Sequence, residues 1–100
     1  MLIAHVHFTV APTERQRAIA ALVGEVPNVR TMPGCLAFHP FLDVTDPAGI
    51  GIVHEWQDEA SFEAYVTSAG FAEVGKILRP MMTAAPVSKR FDAKLLETVN

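Results

Sequence analysis

The chain has 100 residues, of which 50% are hydrophobic and 19% are charged, and its net charge is −3. This length suffices for one domain with a sizeable core, residues 1–100, and the scattered Lys and Arg residues exclude the basic surfaces that bind nucleic acid or anionic lipid. The single cysteine, Cys35, excludes an intrachain disulfide framework. No apolar run approaches the roughly 20 residues that span a bilayer, and the N-terminus lacks the features of a signal peptide. We therefore expect no membrane partner and a cytoplasmic location.

The first predicted element is a β-strand over residues 2–10, where apolar positions alternate with a mixed set until Pro12. One face of this strand is wholly apolar: Leu2, Ala4, Val6, Phe8 and Val10. We expect the apolar face to meet the helices. The mixed face should lie on the uncovered side of the sheet, with Ile3, His5, His7 and Thr9.

A helix is predicted next, with Thr13 as its N-cap and Gln16 completing a capping box. Its apolar stripe follows at helical spacing: Ile19, Leu22, Val23 and Val26. Pro27 removes one intrahelical hydrogen bond. We therefore expect the helix to end or kink near Gly24, with Pro27 opening a short further turn.

A β-hairpin is predicted over residues 35–56. Its first strand covers residues 35–44, and Pro40 within it suits an edge position or a bulge. Residues 43–49 form the turn. The second strand covers residues 50–56, with one face formed by Ile52, His54 and Trp56.

The last third of the chain predicts two helical pieces and a weak final strand. Asp58 is the expected N-cap of the first piece, which carries Phe62, Tyr65, Val66 and Ala69 and should end at Gly70. The second piece should end at Pro80, with an apolar stripe formed by Phe71, Val74, Ile77 and Leu78. The final strand is predicted over residues 87–95.

This order of elements, β-α-β-β-α-β with a split second helix, is the ferredoxin-like pattern of the α+β class. It layers helices on one face of an antiparallel sheet. The other face is half apolar, and the chain carries little charge for a small domain. We therefore predict a homodimer formed through the uncovered sheet face.

The strongest candidate site combines His54 and Trp56 on one strand face with Tyr65 and Phe62 on the helix that follows. Together they can form an aromatic pocket with one titratable group, which suits a small planar, quinone-like molecule. The alternative is that Trp56 and Phe62 are only core residues, since aromatic stripes at helical spacing usually pack.

Two other features of the sequence could carry chemistry. His5 and His7 share a face at a usable metal-ligand spacing, but no third ligand is obvious, so we expect interface histidines and no metal site. Nothing marks Cys35 as an activated thiolate, and we expect it to be structural.

Three segments resemble the antibiotic biosynthesis monooxygenase (ABM) family: residues 33–36 (Pro-Gly-Cys-Leu), 55–65 (from Glu-Trp-Gln-Asp-Glu to Tyr) and 67–71 (Thr-Ser-Ala-Gly-Phe). The resemblance covers nearly the whole chain. It implies a homodimeric α/β barrel of ferredoxin-like protomers, each with a pocket between sheet and helices. It also implies oxidation of phenolic, anthrone or quinol substrates by O₂ without metal or flavin. Trp56 matches the family's Trp.

The chain departs from the family pattern at functional positions. Family members commonly have a His where Gly70 stands. The haem-degrading branch uses an Asn, a Trp and a His where this chain has Val6, Tyr65 and Gly75, so haem degradation is not expected.

The resulting hypothesis is a cofactor-independent monooxygenase acting on a small aromatic or quinol-type substrate. His54 and Tyr65 are the predicted catalytic residues, with His54 as proton acceptor or donor. Trp56 and Phe62 are predicted to bind the substrate, Trp56 by orienting its ring. The alternative is a non-catalytic, dimeric small-ligand-binding or stress-associated protein on the same fold. A pocket with an available His or Tyr favours the enzyme, and a pocket filled by side chains favours the alternative.

Overall fold

The computed structural model describes residues 1–100 and contains four strands, three α-helices and two 3₁₀ turns. The strands are β1 (Leu2–Thr9), β2 (Cys35–Leu42), β3 (Gly49–Trp56) and β4 (Val87–Asp92). The helices are α1 (Arg15–Arg30), α2 (Glu59–Val66) and α3 (Ala69–Leu78), and the 3₁₀ turns are Pro12–Glu14 and Arg79–Met81. This order confirms the ferredoxin-like prediction with a split second helix. None of the helices is long and apolar enough to cross a membrane.

The four strands form one antiparallel sheet in the order β2-β3-β1-β4. β2 is therefore an edge strand, which confirms the position predicted from Pro40, because an edge strand tolerates a residue without an N–H donor. β4 is the other edge, and all six of its residues are exposed.

The alternation predicted for β1 is confirmed. Leu2, Ala4 and Phe8 are buried against the helices, whereas His5 and His7 are exposed on the opposite face. Fifteen buried hydrophobic residues form one core between this face and the helices, and the bulkiest fully buried members are Trp56 and Phe38.

The predicted cap of α1 is wrong. Thr13 lies inside the 3₁₀ turn, and α1 begins at Arg15 without a side-chain cap. The chain leaves its extended conformation at Ala11, because Pro12 has the fixed φ that suits the first position of a helical turn. Thr13 is thus already helical and cannot adopt the extended conformation of an N-cap.

The predicted end of α1 near Gly24 is also wrong, since the helix continues through Pro27 to Arg30. Tertiary contacts hold this last turn. Val29 is fully buried, and the Arg30 guanidinium donates two hydrogen bonds, of 2.9 and 3.1 Å, to the Phe38 carbonyl. These contacts offset the hydrogen bond that proline removes.

The break between the second and third helices lies earlier than predicted. Asp58 caps α2 as expected, its carboxylate accepting a 2.8 Å hydrogen bond from the Ser61 N–H. α2 nevertheless ends at Val66, because Ser68 caps a new helix by accepting a hydrogen bond from the Phe71 N–H. Gly70 therefore lies in the first turn of α3 and does not end α2.

Candidate functional site

A cavity of about 320 Å³ lies between the helix-covered face of the sheet and the helices, and we call it the central cavity. Of its 18 lining residues, 11 are hydrophobic. The strands contribute Val6, Phe8, Ile52, His54, Ser88 and Arg90, and the helices and the segment before β4 contribute Leu22, Glu25, Phe62, Tyr65, Val66, Phe71, Val74, Gly75, Leu78, Arg79, Met82 and Pro86. Mainly apolar walls with a few polar groups are typical of small-molecule sites.

Two other depressions have no comparable chemistry. One of about 280 Å³ lies beside Met1 and Asp58, and four of its eight lining residues are exposed and charged, including Arg90, which also lines the central cavity. Another of about 270 Å³ lies between α1 and β2, and six of its seven lining residues are hydrophobic. Of these three, only the central cavity has a buried ionisable side chain in its wall, which makes it the candidate site.

His54 is the buried polar residue of the core, with only 3% of its surface exposed. Its Nδ1 accepts a 2.8 Å hydrogen bond from the indole Nε1 of Trp56, two residues further along β3. The indole can only donate, so in the neutral ring Nδ1 carries no proton and Nε2 carries it. The ring makes no other hydrogen bond to the protein. Nε2–H is thus left for a ligand in the cavity.

The surroundings of His54 favour its neutral form. Burial, and then the positive charges of Arg90 and His5, lower its pKa to about 4. Burial disfavours the charged imidazolium, and a nearby cation disfavours it further. Near neutral pH, His54 is therefore an uncharged hydrogen-bond donor.

Tyr65 lies beside His54 in the wall of the cavity. Its ring stacks on Trp56 with centroids 5.1 Å apart, and Phe71 meets it edge-on at 5.2 Å. Burial, followed by the negative charge of Glu25, raises the pKa of the Tyr65 hydroxyl above its ordinary value. The hydroxyl stays protonated and can donate to a ligand.

Three of the four predicted site residues line the cavity together: His54, Phe62 and Tyr65. Trp56 does not. It is fully buried behind His54, so it cannot orient a substrate ring by direct contact as we had predicted. Its contact with the site is the hydrogen bond to His54 and the stacking on Tyr65.

Three charged residues of the cavity were not predicted from the sequence: Glu25, Arg79 and Arg90. Glu25 lies on α1 next to the apolar stripe, and Arg90 lies on a strand that is exposed throughout. Charged residues in such positions usually face solvent, so the pattern gave no signal. Arg90 could have been found only from the strand register, which pairs it with the buried Ala4.

The structure does not bring His5, His7 or Cys35 into the central cavity. No group of three or more His, Cys, Asp or Glu side chains could hold a metal ion. His7 contacts the Asp43 carboxylate at 3.3 Å, and His5 packs edge-on against Phe91. Burial raises the pKa of the Cys35 thiol, which keeps it protonated and unreactive.

The family model for antibiotic biosynthesis monooxygenases matches residues 1–76. The chain belongs to this family. No curated protein sequence matches the ABM chain significantly.

Solved structures agree with this assignment at the level of the fold. A protein described as an antibiotic biosynthesis monooxygenase superposes with a TM-score of 0.88 at 21% identity, over 95% of this chain and 100% of that one. A candidate antibiotic biosynthesis monooxygenase from Deinococcus radiodurans superposes with a TM-score of 0.92 at 17% identity, over 100% of this chain and 99% of that one. A third such protein, from Nitrosomonas europaea, superposes with a TM-score of 0.88 at 13% identity, over 93% of this chain and 98% of that one. Identities this low establish the shared fold alone.

The ABM chain has a close helix contact at Gly70, the position where the resemblance leads us to expect a His. A Cβ atom there would lie 2.7 Å from Oε1 of Glu25 and 3.0 Å from Nδ2 of Asn28. The glycine thus leaves room for the Glu25 carboxylate, which accepts a hydrogen bond from Asn28 and lines the cavity. An acid from α1 lies where an imidazole from α3 was expected.

Proposed function

We propose that the protein is a cofactor-independent monooxygenase that oxidises a small aromatic or quinol-type molecule in the central cavity. The observation that carries the proposal is a buried imidazole that offers Nε2–H to an apolar cavity. An apolar cavity strengthens a hydrogen bond to developing negative charge, because water does not compete for it.

We assign three roles to residues of the cavity: substrate binding, proton acceptance and hydrogen-bond donation. The aromatic side chains of Phe62, Tyr65 and Phe71 hold the substrate ring. Glu25 is the proton acceptor on the helix side. His54 and Tyr65 donate hydrogen bonds to the oxygen on which charge develops. Of the two roles predicted for His54, proton acceptor or donor, we propose the donor, because Trp56 already donates to its Nδ1.

The substrate itself supplies the electrons for the reduction of O₂. Deprotonation makes the ring electron-rich, and its anion reacts with O₂. For a ring methylene, the net reaction gives a carbonyl, with one oxygen atom entering the product and the other leaving as water. A cavity of about 320 Å³ is at the small end of the roughly 300–1,000 Å³ range of ligand sites. The substrate is accordingly small.

The alternative is a non-catalytic protein that binds a small ligand in the same cavity. The cavity is open, and neither the His54 N–H nor the Tyr65 hydroxyl has a hydrogen-bond partner in the protein. These two donors together with the carboxylate of Glu25 favour the enzyme, since a binding protein needs no proton acceptor.

We propose further that the protein acts as a homodimer through the sheet face that the helices leave uncovered. The register puts one exposed or half-buried apolar residue from each strand on that face: Ile3, Phe41, Val53 and Phe91. Phe41 and Phe91 are 44% and 47% exposed. Apolar side chains grouped in this way are usually buried by a partner.

The proposed activity is tested by measuring oxygen uptake with a panel of quinols and anthrones. We expect uptake with at least one compound, and its loss in His54→Asn. Substrate binding without oxygen uptake for every compound would favour the binding protein. Equal uptake by wild type and His54→Asn would remove His54 from the mechanism.

A further inference from the structure

His54 and Arg90 lie in one row across the helix-covered face of the sheet. The antiparallel register pairs Ala4 on β1 with His54 on β3 and with Arg90 on β4. Neighbouring strands are about 4.8 Å apart, so the two Cα atoms are about 10 Å apart with only the methyl group of Ala4 between them in the row. Both long side chains line the central cavity.

The ring of Phe62 packs against both side chains. Its centroid is 5.8 Å from that of the His54 imidazole, and the Arg90 Cζ lies 4.8 Å from it. A guanidinium over an aromatic face is held by a cation–π interaction. Phe62 therefore contacts both the Arg90 cation and the imidazole, and all three side chains line the cavity.

Arg90 has no carboxylate partner. The ion pairs of the chain involve other residues, and the only hydrogen bond of the Arg90 side chain is a long one, 3.4 Å, from Nε to the Ser88 hydroxyl. Its remaining N–H groups are free. The sheet side of the cavity thus combines a permanent cation with a neutral N–H donor, while the carboxylate of Glu25 lies on α1.

We infer that Arg90 and His54 form an anion-binding site, and that the cavity takes a hydroxyaromatic compound as its anion, with the ionised oxygen bound by the guanidinium and by Nε2–H. Charge-assisted hydrogen bonds from these groups favour an ionised oxygen over a neutral one. The inference rests on the proposed function for the location and class of the substrate, and it adds the groups that bind the ionised oxygen and a specificity-determining residue, Arg90.

The test uses 4-nitrophenol as the probe, because its anion has a distinct visible absorbance. The full chain is held in excess, and the absorbance of the probe is followed against pH. The ionisable groups around the bound probe are Glu25, His54, Tyr65, Arg79 and Arg90. We expect wild type to lower the pKa of the probe by about one unit, which corresponds to a roughly tenfold preference for the anion.

Arg90→Gln is the decisive variant, because it keeps a polar side chain and removes the charge. We expect it to lose most of the shift in the probe's pKa. Arg90 is exposed, so the circular dichroism spectrum should not change. Arg79→Gln is the matched control, since Arg79 lines the same cavity from the helix side and should be dispensable for the shift.

A second probe, 4-nitroanisole, has a similar shape and cannot ionise. We expect wild type and Arg90→Gln to bind it equally. An unshifted pKa in wild type, an equal shift in Arg90→Gln, or a loss of the shift in Arg79→Gln instead would each overturn the inference. A lowered pKa of the probe in a protein that consumes no oxygen would overturn the proposed monooxygenase activity but would still support the anion-binding site.

Discussion

The indole Nε1 of Trp56 donates a 2.8 Å hydrogen bond to Nδ1 of His54. This contact selects one tautomer of a buried imidazole and so decides which proton the site can use. A ring with a proton already on Nε2, and with Nδ1 engaged, donates to a ligand and does not accept a proton from it.

The tautomer is the first prediction. In wild type near neutral pH, the ¹⁵N spectrum of His54 should show a bare Nδ1 and a protonated Nε2. Trp56→Phe removes the donor and should give a mixture of tautomers. It should also lower the free energy of unfolding by at least about 1 kcal/mol, because a buried acceptor loses its partner. A protonated Nδ1 in wild type would contradict this hydrogen bond.

The second prediction separates the two nitrogens of His54 by amide substitution. Asn can accept the Trp56 hydrogen bond in place of Nδ1 but offers nothing in place of Nε2–H, so His54→Asn should fold and lose about 100-fold or more in kcat. Gln can reach the position of Nε2, and His54→Gln should keep more activity at lower stability. Steady-state kinetics and urea unfolding check both. The reverse order of activities would show that the Trp56 contact, not the donor, matters.

Acid sensitivity is the third prediction. The pKa of His54 is about 4 in the folded chain and near 6.5 when unfolded, so the unfolded chain binds more protons between these values. The free energy of unfolding should therefore fall as the pH falls through this window, by up to about 3 kcal/mol from this group. Urea unfolding across the window should show a smaller loss for His54→Asn. Tyr65→Phe, which removes no group titrating there, should keep the wild-type loss.

Two glycines inside helices are predicted sites of stabilisation. Gly75 lines the cavity, and a Cβ atom there would meet only Arg79 Nε, at 4.0 Å, while at Gly24 nothing lies within 4 Å. Neither has a positive φ. Gly75→Ala and Gly24→Ala should each raise the free energy of unfolding by about 0.5–1 kcal/mol. Gly34→Ala should lower it, since φ is 82° and the new atom would collide with Ser61. Thermal unfolding distinguishes these signs.

The proposed dimer gives the fifth prediction. Light scattering after size exclusion should find twice the mass of one chain for wild type and a single chain for Phe91→Glu, because a buried charge without a partner opposes association. Ile77→Glu is the matched control. Ile77 is exposed to a similar extent, 48%, but lies in the helix layer, and its variant should stay dimeric. A wild-type protein with the mass of a single chain would rule out the proposed interface.

The fold was predictable where local patterns and tertiary packing favour the same structure. The alternation of β1, the Asp58 cap and the edge position of Pro40 all follow from short-range chemistry. Prediction failed where packing outweighs a local signal. Pro27 is tolerated because the last turn of α1 is held by Arg30 and a buried Val29.

The site was predictable in its aromatic part only. The meeting of His54, Phe62 and Tyr65 could be predicted, because the alternation of β3 and the apolar stripe of α2 are both visible in the sequence. Arg90 and Glu25 come from a strand and a helix whose contact with the cavity depends on strand register and helix packing. The role of Trp56 required the geometry of one hydrogen bond, which no spacing in the sequence encodes.

The contact at Gly70 has a consequence for how this site can change over evolution. A side chain at position 70 and the carboxylate of Glu25 compete for the same volume. Gly70→His alone would displace the Glu25 carboxylate, and Glu25→Ala alone would remove the proposed proton acceptor. Oε1 is the end of a flexible side chain that can move aside, so a substitution at position 70 on α3 also changes where the carboxylate of Glu25 on α1 can lie.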